Sequence, residues 1–176
     1  MKALFAAASV AALVSVVPAI AQAQAAPTTG VYGSVGYANV DGDGVNLGAI
    51  QGRLGYRMNS WLGVEGEGAI GIQDDDVDIG GTDVNVDLKH QFAGYVVGFA
   101  PISENTDLLA RFGYGTTKIK GSAGGVSASD DGSSWNYGVG AQHHFDGVNG
   151  VRIDWTRHDF DGGNADVWSV AYTRKF

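Results

Sequence analysis

Residues 62–70 alternate without a break. Leu62, Val64, Gly66, Gly68 and Ile70 form one set; Gly63, Glu65, Glu67 and Ala69 form the other. Side chains point to opposite faces along a strand, so one face is apolar or bare and the other carries two carboxylates. Seven further segments share the two-residue period, and together the eight predict strands over 30–40, 47–58, 61–72, 88–100, 107–118, 135–145, 151–160 and 166–176. Asp/Gly, Asn/Ser and Gly/Ser stretches separate them, which is turn and loop composition. The connections before the third, fifth and seventh strands are compact. Those before the fourth and sixth, residues 73–87 and 121–134, predict long loops, one acidic and one rich in Gly and Ser. No helix is predicted after the first 25 residues.

Most strands declare their faces. Ile50, Leu54 and Tyr56 oppose Gln51 and Arg53; Leu108, Phe112 and Tyr114 oppose Arg111 and Thr117. Trp135, Tyr137 and Val139 oppose Asn136 and Gln142; Ile153 and Trp155 oppose Arg152 and Asp154. The fourth strand is ambiguous, being apolar on both sides. Its expected register sets Ala93, Tyr95, Val97 and Phe99 outward and Gly94, Val96 and Gly98 inward.

The start of the chain is different. Met1-Lys2 precedes an uncharged run from Leu4 to Val17, then Pro18 and the small-residue run Ala21 to Ala26. This predicts a secretory signal peptide over 1–25, cleaved after Ala23 or Ala25, ahead of one domain over 26–176. Export permits disulfides, yet there is no Cys. The net charge of −8 argues against nucleic acid as a partner. Charged residues are only 17% and glycines number 28, and no later apolar run is long enough for a spanning helix. An exported, glycine-rich all-β chain is either a secreted β protein or an outer-membrane barrel.

Aromatic placement favours the membrane. With the compact turns and the chain ends in the periplasm, Tyr37, Tyr114, Trp135, Tyr137 and Trp168 fall toward the outer ends of the strands. Tyr56, Phe99, Phe145 and Phe176 fall toward the inner ends. Two aromatic girdles on an apolar band mark a wall that faces lipid. The fold expected is an all-β, eight-stranded antiparallel up-and-down transmembrane β-barrel. Its interior is narrow, so the inward charges Arg53, Glu65, Glu67, Arg111, Arg152 and Asp154 are expected to pair there as a plug, helped by Gln51, Gln142 and His144.

Several motifs carry a family resemblance: Trp61-Leu-Gly-Val-Glu-Gly-Glu67, Pro101-Ile-Ser-Glu-Asn105, Leu109-Ala-Arg-Phe-Gly-Tyr-Gly115, Tyr137-Gly-Val-Gly140 and Val151-Arg-Ile-Asp-Trp-Thr-Arg157, with the terminal Phe176. In order and spacing they resemble the small outer-membrane β-barrel family of opacity proteins and the OmpA transmembrane domain. The resemblance implies a Gram-negative outer-membrane location and assembly by the outer-membrane insertion machinery. That machinery would read the last strand through Phe176 and Tyr172. Arg174 departs from the apolar or aromatic residue usual two places before the end, and can snorkel to headgroups.

Other chemistry finds little support. Asp41-Gly-Asp-Gly44 and Asp74-Asp-Asp76 lack the spacing of a calcium loop and read as solvated loop acids. His143 is expected outward near the periplasmic end without a Ser neighbour. His90 and His158 lie toward the other end, and no nucleophile–base–orienter set assembles. The expectation is a non-enzymatic barrel with no cofactor, no metal and no catalytic residue. It would contact outer-membrane lipid and lipopolysaccharide, support envelope integrity and display acidic loops whose ligand the sequence does not name. A narrow ion or small-solute porin is the alternative, and a lipid-A-modifying enzyme the second.

Overall fold

The computed structural model describes residues 29–42, 45–73, 75–78, 83–123 and 126–176. The strands are β1 (Gly30–Gly42), β2 (Val45–Arg57), β3 (Leu62–Gln73), β4 (Asp75–Asp78), β5 (Asp83–Ser103), β6 (Thr106–Ala123), β7 (Val126–His144), β8 (Asn149–Phe160) and β9 (Gly163–Lys175). Neighbours in sequence pair antiparallel, β1 pairs with β9, and β3 pairs with β5. The segments β3 and β4 follow one another along β5, so eight staves close the barrel. Closure satisfies backbone groups that would otherwise form sheet edges, as a hydrocarbon surrounding requires. The leader expected at 1–25, residues 43–44 of the first Asp/Gly turn, and Asp74 lie outside the described residues.

The solvent logic is inverted. Leu54 is 65% exposed and Val170 49%, on the outer wall, while Arg152 and Asn136 are fully buried inside. The outer wall also carries Tyr37, Tyr114, Trp135, Tyr137 and Trp168 toward one end and Tyr56, Phe145 and Phe176 toward the other. Cross-strand partners stack on it, Phe112 on Trp135 at 5.4 Å and Tyr114 edge-on to Trp135 at 5.1 Å.

The register expected for the fourth strand is corrected. In β5, Tyr95, Val97 and Phe99 are buried inside, and Phe92 and Val96 are exposed. Phe99 therefore leaves the inner-end girdle. The reason lies on the adjacent strand β3. The Tyr95 hydroxyl donates to Glu67 Oε1 at 3.2 Å, a partner that lipid cannot supply. Its strand neighbour is Gly113, where a Cβ would stand 2.6 Å from the Tyr95 ring. The same device recurs at Tyr32, whose ring lies over Gly55.

The two expected long loops are also corrected. Strands β5, β6 and β7 run for 21, 18 and 19 residues. A spanning strand needs about 9–11. Residues 83–86 pair with β4, and β6 pairs with β7 from Thr117↔Gly132 to Ala123↔Val126. Ser, Gly and Asp are poor strand formers in isolation. Here the ladder is already nucleated in the wall, and each further pair closes backbone bonds on chain that is already aligned. The result is a ribbon above the rim. The pairing of β7 with β8 stops at Ser134↔Phe160, so residues 126–133 have a partner strand on one edge only among the described residues.

At the opposite end the turns are tight. Asn59 Oδ1 accepts from the backbone N–H groups of Trp61 and Leu62 at 2.9 and 2.8 Å. Asp146 Oδ1 accepts from Val148 and Asn149 at 3.0 and 2.6 Å, with Gly147 at φ +79°. These backbone donors, with the Asn149 side chain, hold the Asp146 carboxyl down at about 2. The turn bonds therefore persist through mild acid and are lost as pH falls from the ordinary carboxylate range through about 2. A carbon-13 titration should place the Asp146 midpoint there, and Asn149→Ala should raise it.

The outer wall gives a second test. In phospholipid vesicles, Val170→Arg should lower the unfolding free energy by about 2–4 kcal/mol, as a mid-bilayer cation does. Urea titration followed by tryptophan fluorescence measures it; a barrel surrounded by water would change by only about 0.5 kcal/mol.

Candidate functional site in the barrel lumen

Six charged side chains from four staves converge inside the barrel. Arg53 of β2 donates from Nε to Glu67 Oε2 at 2.8 Å and from Nη1 to Asp154 Oδ2 at 2.7 Å. Arg111 of β6 reaches the same Glu67 oxygen through Nη2 at 2.5 Å. Arg152 of β8 donates to Asp154 Oδ1 at 2.8 Å and to both oxygens of Glu65. Three guanidiniums and three carboxylates thus form one continuous network, each side chain essentially sealed from solvent.

Neutral groups complete it. Tyr32 donates to Glu65 at 2.8 Å, and Arg53 Nη2 reaches Gln51 Oε1 at 3.0 Å and Ser169 Oγ at 3.1 Å. Gln91 reaches Glu67 at 3.4 Å, and Asn136 holds the Tyr95 oxygen at 3.1 Å. The Arg111 guanidinium lies 3.5 Å over the Tyr95 ring, a cation–π contact in a dry setting. Its Nε and Nη1 have no protein partner.

Other groups flank this layer on both sides. Toward the ribbon end, Ala38, Leu47, Ala49, Ala69, Leu88 and Val167 form an apolar cluster. Toward the tight turns, Arg57 makes a two-pronged pair with Asp107 at 2.9 and 3.0 Å, capped by Gln142 Nε2 at 2.9 Å. Arg57 also donates to the turn carbonyls of Asn59 and Ser60 and lies 4.2 Å over Phe99.

Sequence reasoning missed the Arg57–Asp107 pair, both tyrosines and the apolar cluster. A signal existed for Arg57, since Gln51, Arg53 and Arg57 follow the inward two-residue spacing of β2. Of the three expected helpers, Gln51 joins the network. Gln142 serves Asp107 instead, and His144 is buried with Nδ1 unpartnered. His143 lies outside, its Nδ1 2.9 Å from Thr106 Oγ1, with no third orienting group among the described contacts. Tyr172 is exposed and bonded to Asn149; Phe176 is exposed at the chain end, its N–H donating to the Val31 carbonyl at 2.9 Å.

Buried charges of this kind are destabilising when one partner is removed. Glu67→Gln leaves Arg53 and Arg111 short of a counter-charge and should cost about 3–5 kcal/mol. Arg157→Ala breaks a part-exposed pair with Asp166 and should cost under about 1 kcal/mol. Parallel urea titrations in one lipid compare the two.

The sequence matches the family described as outer membrane protein beta-barrel domain over residues 9–176. Among solved structures, this chain is similar to Ail, the attachment invasion locus protein of Yersinia pestis, in complex with the heparin analogue sucrose octasulfate. Identity is 22% and the TM-score 0.63, covering 84% of this chain and 99% of that one. It is similar to Neisserial surface protein A at 10% identity and TM-score 0.59, covering 83% and 96%. The N-terminal β-barrel domain of Pseudomonas aeruginosa OprF gives 8% and 0.57, covering 83% and 99%. These are likenesses of fold. No curated protein matches.

Proposed function

The chain belongs to the outer membrane protein beta-barrel domain family, and from that premise we propose that it is a non-enzymatic, non-conducting barrel of the Gram-negative outer membrane. It anchors a strand ribbon at the cell surface and adds to the integrity of the envelope. The observation that carries this reading is the sealed lumen: the six-charge network lies between an apolar cluster and the Arg57–Asp107 pair. An ion crossing it would have to break several charge-assisted bonds in a dry interior. In this reading residues 1–25 are the export signal, and Tyr172 and Phe176 are read by the insertion machinery.

The ribbon supplies the surface role. Its arms exceed a spanning strand by roughly eight to ten residues, about 30 Å at about 3.3 Å per residue. The sulfated sugar held by the Yersinia protein is not carried over, because this chain has a net charge of −8. Polyanion recognition would need the opposite sign.

One observation favours the porin reading. Arg111 keeps two donors without protein partners and could exchange carboxylates. Planar-bilayer recording separates the two. The purified barrel should insert silently, and Glu67→Gln should add no unitary steps. Discrete wild-type steps that Glu67→Gln alters would establish the porin instead.

A further inference from the structure

A cavity of about 150 Å³ opens at the tight-turn end of the barrel, below the Arg57–Asp107 pair. Arg57, Gln142, His144, Thr173 and Lys175 line it, with Tyr32 and Phe99 behind. The charges on its wall do not cancel. Asp107 takes both prongs of Arg57. The Lys175 ammonium, on the last residue of β9, makes no hydrogen bond or ion pair in the described structure, although the Lys175 backbone N–H donates to Val148. Among the side chains the cavity thus carries one cation in excess, with the terminal carboxylate of Phe176 at its rim.

Its buried polar groups are also incompletely used. Gln142 is 4% exposed and His144 1%, successive inward residues of β7. Gln142 gives its NH₂ to Asp107, and its Oε1 has no partner; nor does His144 Nδ1. Buried polar atoms of this kind are normally satisfied, and an orphan carbonyl oxygen asks for a donor. An occupant must therefore offer negative charge to Lys175 and a hydroxyl to Gln142. His144 can serve either role, according to its tautomer. A volume near 150 Å³, against about 30 Å³ for each water in the liquid, admits a small oxyanion with one or two waters.

We propose that the periplasmic mouth of the barrel binds a small hydroxyl-bearing oxyanion of the inorganic phosphate class, held by Lys175, His144 and Gln142. Chloride lacks the hydroxyl and a phosphodiester lacks the proton, so neither meets all three groups. The site adjoins the lumen network only through Tyr32, and it stands whether or not the barrel conducts.

The test uses the chain purified from outer membranes and folded in dodecylmaltoside, which contains no phosphorus. Its histidine rings are isotope-labelled, and His144→Asn identifies the resonance. Sodium phosphate replaces sodium chloride at constant ionic strength. The expected result is a saturable shift of the His144 ring signals. Lys175→Met and Gln142→Leu should each weaken binding by about tenfold or more, the scale of one charge-assisted hydrogen bond. Both variants should keep the heat-dependent gel mobility of a folded barrel. A response that does not saturate, or that Lys175→Met leaves unchanged, overturns the proposal. A parallel sample in phosphatidylglycerol nanodiscs separates the phosphate sources. A His144 signal already at its saturated position without added phosphate would assign the cavity to lipid and overturn the free-oxyanion assignment.

Discussion

A guanidinium inside a barrel this narrow has little water to fall back on, and that constraint organises the interior. Arg53, Arg111 and Arg152 are tolerable because Glu65, Glu67 and Asp154 meet them in the lumen at matching depth. Register sets the depth: Arg53 stands opposite Glu67 in the β2–β3 ladder. A slip of one residue would turn both toward lipid, where neither charge has a counter-ion. The network thus acts as a register lock as much as a source of stability. Buried ion pairs contribute little compared with good apolar packing, but they penalise mispairing severely.

Aromatic rings reinforce the lock from inside. Tyr32 and Tyr95 each lie across a glycine and each end on a glutamate of β3. A larger residue at Gly55 or Gly113 would displace the ring and with it the hydroxyl. The small residues of the inner wall are therefore the complement of large ones on the adjacent strand. This arrangement fills a core while giving both tyrosine hydroxyls a partner.

The fold was legible wherever the two faces of a strand differ in chemistry. Arg53, Glu65, Arg111 and Asp154 announce the inside because a lone charge has no place in hydrocarbon. Residues 88–100 made no such announcement. Tyr95, Val97 and Phe99 on one side and Phe92 and Val96 on the other are equally apolar by composition, and only the contact with Glu67 on the next strand decides between them. The ribbon was illegible for another reason. Its Ser, Gly and Asp residues signal a loop, while the pairing that orders it belongs to the backbone and to strands already anchored below. Arg57 and Asp107 sit beside turns, where a charge is unremarkable until the opposite stave is known.

The unequal ends of the barrel bear on how it leaves a membrane as well as how it sits in one. The arms of β5, β6 and β7 zip to one another beyond the rim, through rungs such as Lys118↔Asp131 and Asp87↔Lys120. To withdraw, the protein would first have to unzip these rungs and then drag Asp-bearing chain through hydrocarbon. Entry meets the same polar segments while they are still single strands. Extraction and insertion therefore follow different routes over barriers of different height. The assembled molecule should act as a ratchet, its unfolding and refolding curves separated by hysteresis.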